Sequence, residues 1–167
     1  LNLGINGRVA RGLASLMGDP RPAYDAYRRF LQIYGEVVMG VAPETLEHIL
    51  ADHKGRAGAE LDFQLSAAQL KGVIADFKAA IRQAAGAKVP TDPWDQLRAA
   101  VEAVFRSWNN PRAIFYRDLY HIDHHLGTAV TIMAMVFGNL GPTSGTGVLF
   151  TRNPSTGQRE AYGEFLA

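Results

Sequence analysis

The sequence predicts an α+β chain, in which an all-helical part is followed by a short antiparallel β-meander. Up to about residue 120, apolar residues recur at helical spacing and capping residues stand at the expected helix starts. After His125 the pattern changes to β-branched and apolar runs that are separated by glycine-rich or turn sequences. The 167 residues are 47% apolar and 20% charged, which is typical of a globular chain.

The first helices are predicted from proline, glycine and apolar spacing. One begins at Asp19, has prolines in its first turn, carries the apolar stripe Tyr24–Tyr34 and ends at Gly35. The next, PETLEHILADHKG, ends at Gly55. His53 lies on its apolar face, which favours a hydrogen-bonded, partly buried histidine over a ligand.

The later helices have clearer start signals. Ser66 and Gln69 have capping-box spacing ahead of a helix that Gly86 ends. Asp92-Pro93 starts another helix, and Asn110-Pro111 interrupts it and starts RAIFYRDLY. The apolar side chains of the Asp92-Pro93 helix are expected to face inward; they are Trp94, Leu97, Val101, Val104, Phe105 and Trp108.

The meander is predicted from three runs after His125. TAVTIMAMVF predicts a strand covered on both faces, TGVLFTR a second strand and QREAYGEFL a third. NPSTG predicts the turn between the last two, with Gly157 at positive φ. The loop GNLGPTSGTG lacks a Walker lysine and the third glycine of a dinucleotide fingerprint, so a ligand loop and a plain connector both stay open.

Composition excludes several function classes. A net charge of +1 gives no electrostatic indication of nucleic acid or of an acidic membrane as partner. The chain has no cysteine, which excludes disulfides and thiolate metal sites and is compatible with a reducing, cytoplasmic location. No apolar run approaches the roughly 20 residues that cross a bilayer.

Some polar clusters have two interpretations each. HIDHH would place three histidines on one side of a continuing helix and so could bind zinc, but a polar helix end is the simpler interpretation. Glu160 and Glu164 could be half of a magnesium site or ordinary strand-edge charges. The arginines that could contact phosphate, or pair with nearby carboxylates instead, are Arg106, Arg112, Arg117 and Arg152.

Long motifs in the chain resemble a known family. YRRFLQIYGEVVMGV, VFRSWNNPRAIFYR, GTAVTIMAMVFGN, SGTGVLFTRNPSTG and YGEFL occur in an order that closely resembles the N-terminal nucleotide-binding part of pyruvate phosphate dikinases. The matches extend over nearly the whole chain, and SWNNPRAI and SGTGVLFTRNPSTG are highly specific.

The resemblance implies a fold and a role. It implies an internal fragment of a split ATP-grasp domain, with residues 1–93 as its helical subdomain and residues 94–167 as part of its core. The whole enzyme would interconvert ATP, phosphate and pyruvate with AMP, pyrophosphate and phosphoenolpyruvate. It would need Mg²⁺ and a monovalent cation, and its other domains would carry the phosphohistidine and bind pyruvate.

The resemblance also implies site residues. Met133, Met135 and Val136 lie on the strand along which adenine packs, and Met133 stands where the family commonly has Gln. Thr146, in the SGTG loop, and Arg152 would lie near the lobe that covers the nucleotide. The Mg²⁺ ligands and the carrier histidine are expected outside this chain, which therefore has no catalytic residue of its own and is expected to be inactive alone.

A different class of function also fits the sequence. The helical half could be a docking or oligomerisation module without a catalytic role, with the aromatic stripe Tyr24–Tyr34 as its contact surface. A homodimer is the partner that this hypothesis predicts.

Overall fold

The computed structural model describes residues 1–138 and 143–166. It contains helices and one antiparallel strand pair, so the predicted α+β class is confirmed. Residues 1–133 form one compact unit and residues 134–167 a second. The elements in chain order are α1 (Gly7–Met17), α2 (Pro20–Val37), α3 (Pro43–Ala57), a 3-10 turn (Asp62–Gln64), α4 (Ala67–Ala85), α5 (Pro93–Ser107), α6 (Pro111–Tyr120), β1 (Thr146–Phe150) and β2 (Tyr162–Leu166).

The predicted helix caps are confirmed. Asp19 accepts a hydrogen bond from the first turn of α2, and Asp92 accepts two from that of α5. Ser66 and Gln69 form the capping box of α4, because the Ser66 hydroxyl accepts from Gln69 N while the Gln69 side chain accepts from Ser66 N. α4 ends before Gly86, and α6 restarts the chain at Pro111.

Two predicted helix ends are wrong. α2 continues through Gly35 to Val37, and α3 continues through Gly55 to Ala57. The sequence analysis also did not single out α1, which Asn6 caps by accepting hydrogen bonds from Arg8 N and Val9 N. A glycine can serve close packing as well as helix termination, and Gly35 is buried where α2 meets the side chains of α3 and α4.

Helix α2 is the centre of the first unit. It packs on α1, α3, α4 and α5. The buried apolar side chains of α2 contact those of α4. The fully buried large side chains include Phe30, Leu31, Tyr34, Leu46, Leu70, Val73, Phe77 and Ile81. The hypothesis that the Tyr24–Tyr34 stripe is a contact surface for a partner is wrong for its buried members, because Tyr27, Phe30, Leu31 and Tyr34 already form this core.

A charged network is buried at the edge of the same helix. Arg28 is 3% exposed and donates to Asp25 at 2.6 Å and to Asp62 at 3.1 Å. Lys54 of α3 also pairs with Asp62, at 3.1 Å. Arg21 donates to the carbonyl oxygens of Asp62 and Leu65, so the chain between α3 and α4 is fixed to α2. A buried guanidinium is tolerated because carboxylates surround it.

The inward stripe predicted for α5 is wrong in part. Trp94 is 73% exposed and Phe105 is also exposed, whereas the buried residues of α5 are Gln96, Ala100 and Ala103. Gln96 donates to the carbonyl oxygens of Ile5 and Pro90 and accepts from Gly4 N, so a polar side chain anchors the helix. Apolar spacing cannot predict this, because two of the partners, Gly4 and Ile5, lie 92 and 91 residues away in sequence.

The second unit contains a hairpin in place of the predicted three-stranded meander. β1 pairs antiparallel with β2, with Val148 opposite Glu164. The predicted strand TAVTIMAMVF is wrong, because residues 128–137 form no strand in the part of the chain that the structure describes. A strand covered on both faces needs neighbouring strands, and β1 and β2 are paired only with each other among the described residues. Within residues 1–138 and 143–166, no helix is long and apolar enough to cross a bilayer.

Replacing Gly35 by alanine should destabilise the first unit. A Cβ at this position would lie 3.0 Å from Cδ1 of Ile81 and 3.3 Å from Cδ1 of Leu46. Both side chains are fully buried and cannot move aside freely. Overpacking should therefore outweigh the gain in helix propensity, and we expect a net loss of about 1–2 kcal/mol in urea unfolding.

Gly55→Ala is the matched control for Gly35→Ala. Gly55 is also inside a helix, but a Cβ there would meet nothing within 4 Å. We expect this variant to gain about 0.5–1 kcal/mol from helix propensity alone. Equal gains in both variants would show that Gly35 is not a close-packing position.

Asp62→Asn should remove part of the acid sensitivity of the fold. Burial alone would raise the pKa of the Asp62 carboxyl, but the hydrogen bond from Lys54 and the charges of Arg28, Lys54 and Arg29 offset this and leave the pKa below its ordinary value. The ionised Asp62 carboxylate therefore stabilises the folded state fully above the pKa of the unfolded chain, which is about 3.9. This stabilisation is lost as the pH falls through the lower pKa of the folded state. We expect the variant to be about 1–2 kcal/mol less stable at pH 7.

Urea unfolding of the wild type and Asp62→Asn between pH 7 and pH 2 checks this expectation. The difference between the two should shrink as the pH falls below about 4, since the wild-type carboxyl becomes protonated. Asp52→Asn is the control, because Asp52 is exposed and its histidine contact is 3.6 Å long. A difference that does not change with pH would contradict the charge network.

Candidate functional site

The segment from Met133 to Gly138 presents apolar side chains to solvent. Met133 is 79% exposed, Met135 45% and Val136 87%. No backbone hydrogen bond joins residues 129–137 to any other described residue. The segment therefore has uncovered apolar area, and its backbone N–H and C=O groups have no backbone partner within residues 1–138 and 143–166.

A close backbone approach joins the end of this segment to the hairpin. A Cβ at Gly138 would lie 2.8 Å from the Gly145 carbonyl oxygen and 2.9 Å from Cβ of Thr146. Only a residue without a side chain fits there, so Gly138 is required by packing. The approach brings Thr146, at the start of β1, beside the chain that follows Met135 and Val136. Part of the predicted glycine-rich loop, residues 139–142, lies outside the described residues.

The turn between the strands is built around Asn153. Its side chain accepts from Ser155 N and Thr156 N, and Gly157 has the predicted positive φ of 75° and donates its N–H to the Asn153 carbonyl oxygen. Arg152 is exposed, and one of its terminal nitrogens donates to the Gly157 carbonyl oxygen at 3.3 Å. Its other N–H groups have no partner within the described ranges, so the guanidinium can still donate to an anion.

The predicted site residues fall into two groups. Met135, Val136, Thr146 and Arg152 belong to the second unit, whereas Met133 is the last residue of the first. Thr146 and Arg152 bracket β1, one just inside its start and the other beyond its end. Their roles toward a nucleotide stay predictions.

Carboxylates do not gather into a metal site in the described residues. Across residues 1–138 and 143–166, no three histidine, aspartate or glutamate side chains come close enough to hold an ion. Glu160 accepts a hydrogen bond from Asn153 at 2.9 Å, and Glu164 lies on β2. These residues therefore do not fit a complete magnesium site.

The histidine motif is a helix end. α6 stops at Tyr120, His121 is its C-cap with a φ of 53°, and the assumption that the helix continues through the histidines is wrong. His124 accepts a hydrogen bond from Nε of Arg117 at 3.0 Å, and its Nε2 lies 2.9 Å from Asp118. His53, by contrast, is partly buried and hydrogen-bonded to Asp76 at 2.7 Å, as predicted.

Sequence reasoning missed a cluster around Arg117. This side chain is 3% exposed, lies 4.0 Å from the Trp108 ring centroid and donates to the Trp108 carbonyl oxygen at 2.6 Å. Arg112 and Tyr116 line a cleft of about 450 Å³ beside the cluster. Arg106 instead pairs with Glu102 on the surface of α5. The specific motif SWNNPRAI, which contains Trp108 and Arg112, was the available signal.

Comparison with known proteins places the chain in a family. A family model described as "Pyruvate phosphate dikinase, AMP/ATP-binding domain" matches residues 30–163. "Pyruvate, phosphate dikinase" of Rhizobium meliloti is 55% identical over 99% of this chain and 18% of its own length. The protein of the same name from Clostridium symbiosum is 52% identical over 99% of this chain and 19% of its own length. "Pyruvate, phosphate dikinase, chloroplastic" of Mesembryanthemum crystallinum is 52% identical, over 17% of its own length.

The chain is similar to AMP/ATP-binding domains over most of its length. It belongs to the pyruvate phosphate dikinase AMP/ATP-binding domain family. The chain spans less than a fifth of the length of these relatives.

Arg117→Lys should destabilise the first unit although it keeps the charge. Lysine cannot stack on Trp108 and donate to two acceptors in fixed directions, so we expect a loss of about 1–3 kcal/mol. Thermal unfolding measures the loss, and Trp108 fluorescence in a Trp94→Phe background reports the cluster directly. Arg112→Lys, on the same helix but exposed, should change neither quantity. Equal stability of Arg117→Lys and the wild type would contradict the role of the stacked guanidinium.

Proposed function

We propose that this chain is part of an ATP-dependent phosphotransferase and supplies one face of its adenine-nucleotide site. The whole protein would pass phosphoryl groups from ATP to a histidine on another of its domains, for the interconversion of pyruvate and phosphoenolpyruvate. The family membership supports this proposal. A cytoplasmic location, and an ATP-grasp domain that divides at residues 93 and 94 into a helical subdomain and a core, are parts of the same proposal.

The exposed apolar segment is the observation that carries the site. Adenine is a flat ring with a polar edge, so a binding surface needs apolar side chains beside free backbone donors and acceptors. Met135 and Val136 offer exposed apolar area, and residues 130–137 make no backbone–backbone hydrogen bond among the described residues. A contact between the nucleotide and Met133, the last residue of the first unit, is part of the same proposal.

The hairpin would hold the polar part of the nucleotide. Gly138 brings the start of β1 close to the apolar segment, so the Thr146 hydroxyl would lie near a ligand placed on Met135 and Val136. Arg152 keeps N–H groups for a bidentate contact with a phosphate. Phosphoryl transfer depends mainly on positioning and on stabilising negative charge, so these residues bind and orient rather than react.

Magnesium would arrive with the nucleotide and neutralise phosphate charge. The described residues do not complete a site for it. Its ligands, the phosphohistidine and the pyruvate site would be supplied by other parts of the longer protein.

One surface favours a second candidate function. The exposed side chains of α6 include Phe115, Tyr116, Leu119 and Tyr120. Such a patch suits docking to another domain or to a second copy of the chain. A homodimer formed through α6 would agree with the hypothesis of a docking module. Its contact surface would then be α6 and not the Tyr24–Tyr34 stripe that the sequence predicted.

Val136→Asp should weaken nucleotide binding without changing the fold. Val136 is 87% exposed, so aspartate costs no core packing, but its charge would face the bound nucleotide. We expect weak binding of Mg-ATP by the wild-type chain, with a Kd on the order of 1 mM, and a loss of about tenfold in the variant. Isothermal titration measures both values. Leu126→Asp, also at an exposed apolar position, should bind like the wild type.

Turnover and light scattering complete this test. Because the chain spans less than a fifth of its relatives, we expect no AMP formation from ATP, phosphate and pyruvate by these 167 residues alone. Measurable AMP formation would contradict the proposal. A stable dimer that ignores millimolar Mg-ATP, together with equal titrations of Val136→Asp and the wild type, would favour the docking module instead.

A further inference from the structure

A second cleft, in the helical unit, has an apolar floor and a basic rim. Its volume is about 370 Å³, and it lies between α2, α4 and the chain that leads into α5. Ile5, Tyr27 and Phe30 contribute to its apolar lining. The basic side chains around it are Lys78, Arg82 and Lys88.

None of these three basic side chains is paired with a carboxylate among the described residues, and Lys78 only lies over the Tyr27 ring. No salt bridge or side-chain hydrogen bond involves Lys78, Arg82 or Lys88 within residues 1–138 and 143–166. The nearby carboxylates have other partners, since Asp76 is bonded to His53 and Asp92 caps α5. The negative end of the α4 dipole stabilises a cation in the last turn of the helix. This effect explains the position of Arg82, but it does not explain why three cations surround one cleft.

The walls of the cleft are held in place before any ligand binds. Phe30 and Tyr27 are fixed in the core of α2. The wall near Pro90 and Thr91 is pinned, because Gln96 donates to the Pro90 carbonyl oxygen at 2.8 Å and Asn6 to the Thr91 carbonyl oxygen at 2.9 Å. These two acceptors are therefore already engaged and would repel a bound anion less. A preformed site loses little free energy to ordering when a ligand enters.

We propose that this cleft binds a small aromatic phosphate monoester. The ring would lie against Val89 and Pro90, which line the cleft and are partly exposed, and the dianionic phosphate would take charge-assisted hydrogen bonds from Arg82 and Lys88. Lys78, whose ammonium lies 4.8 Å from the Tyr27 ring centroid, would add a third positive charge. This site belongs to the helical unit and does not depend on the nucleotide face proposed for Met135 and Val136.

Titration with 1-naphthyl phosphate at low ionic strength tests the site. For a ligand of this size we expect a Kd of about 0.1–1 mM in isothermal titration. Inorganic phosphate and 1-naphthol should each bind at least about tenfold more weakly, since one lacks the ring and the other the charge. In two-dimensional NMR, the amides of Val89 and Thr91 should shift with the same Kd.

Arg82→Gln and Lys88→Gln are the test variants. Both positions are exposed, so circular dichroism should be unchanged, and each variant should bind about five- to tenfold more weakly. Lys71→Gln is the matched control, because Lys71 is on α4, lies 4.6 Å from the Tyr24 ring centroid and does not line the cleft. No binding by the wild type up to 10 mM, or equal losses in all three variants, would overturn the proposal.

Discussion

The packing of α2 against α4 is the interaction on which the helical unit depends. Phe30, Leu31 and Tyr34 are fully or almost fully buried there, and α1, α3 and α5 all reach the same central helix. Each large side chain buried in this way contributes about 1.5–3 kcal/mol from the apolar area removed from water. The close passage at Gly35 lets the side chains of α3 and α4 approach α2, so one missing Cβ sets the spacing of the core.

The buried charges around Arg28 determine how the connecting chain runs across that core. Removing Arg28 from water is costly, and the cost is offset only while Asp25 and Asp62 both face it. Asp62 lies in a short 3-10 turn rather than in a long helix, so the ion pairs hold a segment that has little packing of its own. The hydrogen bonds of Gln96 likewise hold the N-terminal residues and the chain before α5 in place. The rigid cleft near Pro90 follows from these polar anchors.

Local signals in the sequence predicted much of the fold, and non-local packing explains what they missed. Caps such as Ser66 with Gln69, and Asp92 with Pro93, are decided within four residues, so the sequence shows them directly. Gly35 was misread as a helix end because its role depends on side chains from two other helices. The predicted strand at residues 128–137 failed for a similar reason, since a ladder needs a partner that no local pattern supplies. The only sign of the Arg117 cluster in the sequence is the motif VFRSWNNPRAIFYR, which contains Trp108 and Arg117.

The two units differ in how much apolar area they bury: the helical unit buries its own core, whereas the second unit leaves large apolar side chains exposed, which the proposed nucleotide would cover. Hydrogen–deuterium exchange with mass spectrometry tests this difference most directly. Without ligand, amides of α2 and α4 should be protected, and those of residues 134–137 should exchange rapidly because they lack backbone partners among the described residues. Among the described residues, saturating Mg-ATP should slow exchange in residues 134–138 and 143–152 alone. Protection of that segment without ATP, or ATP-dependent slowing confined to the helices, would contradict the account.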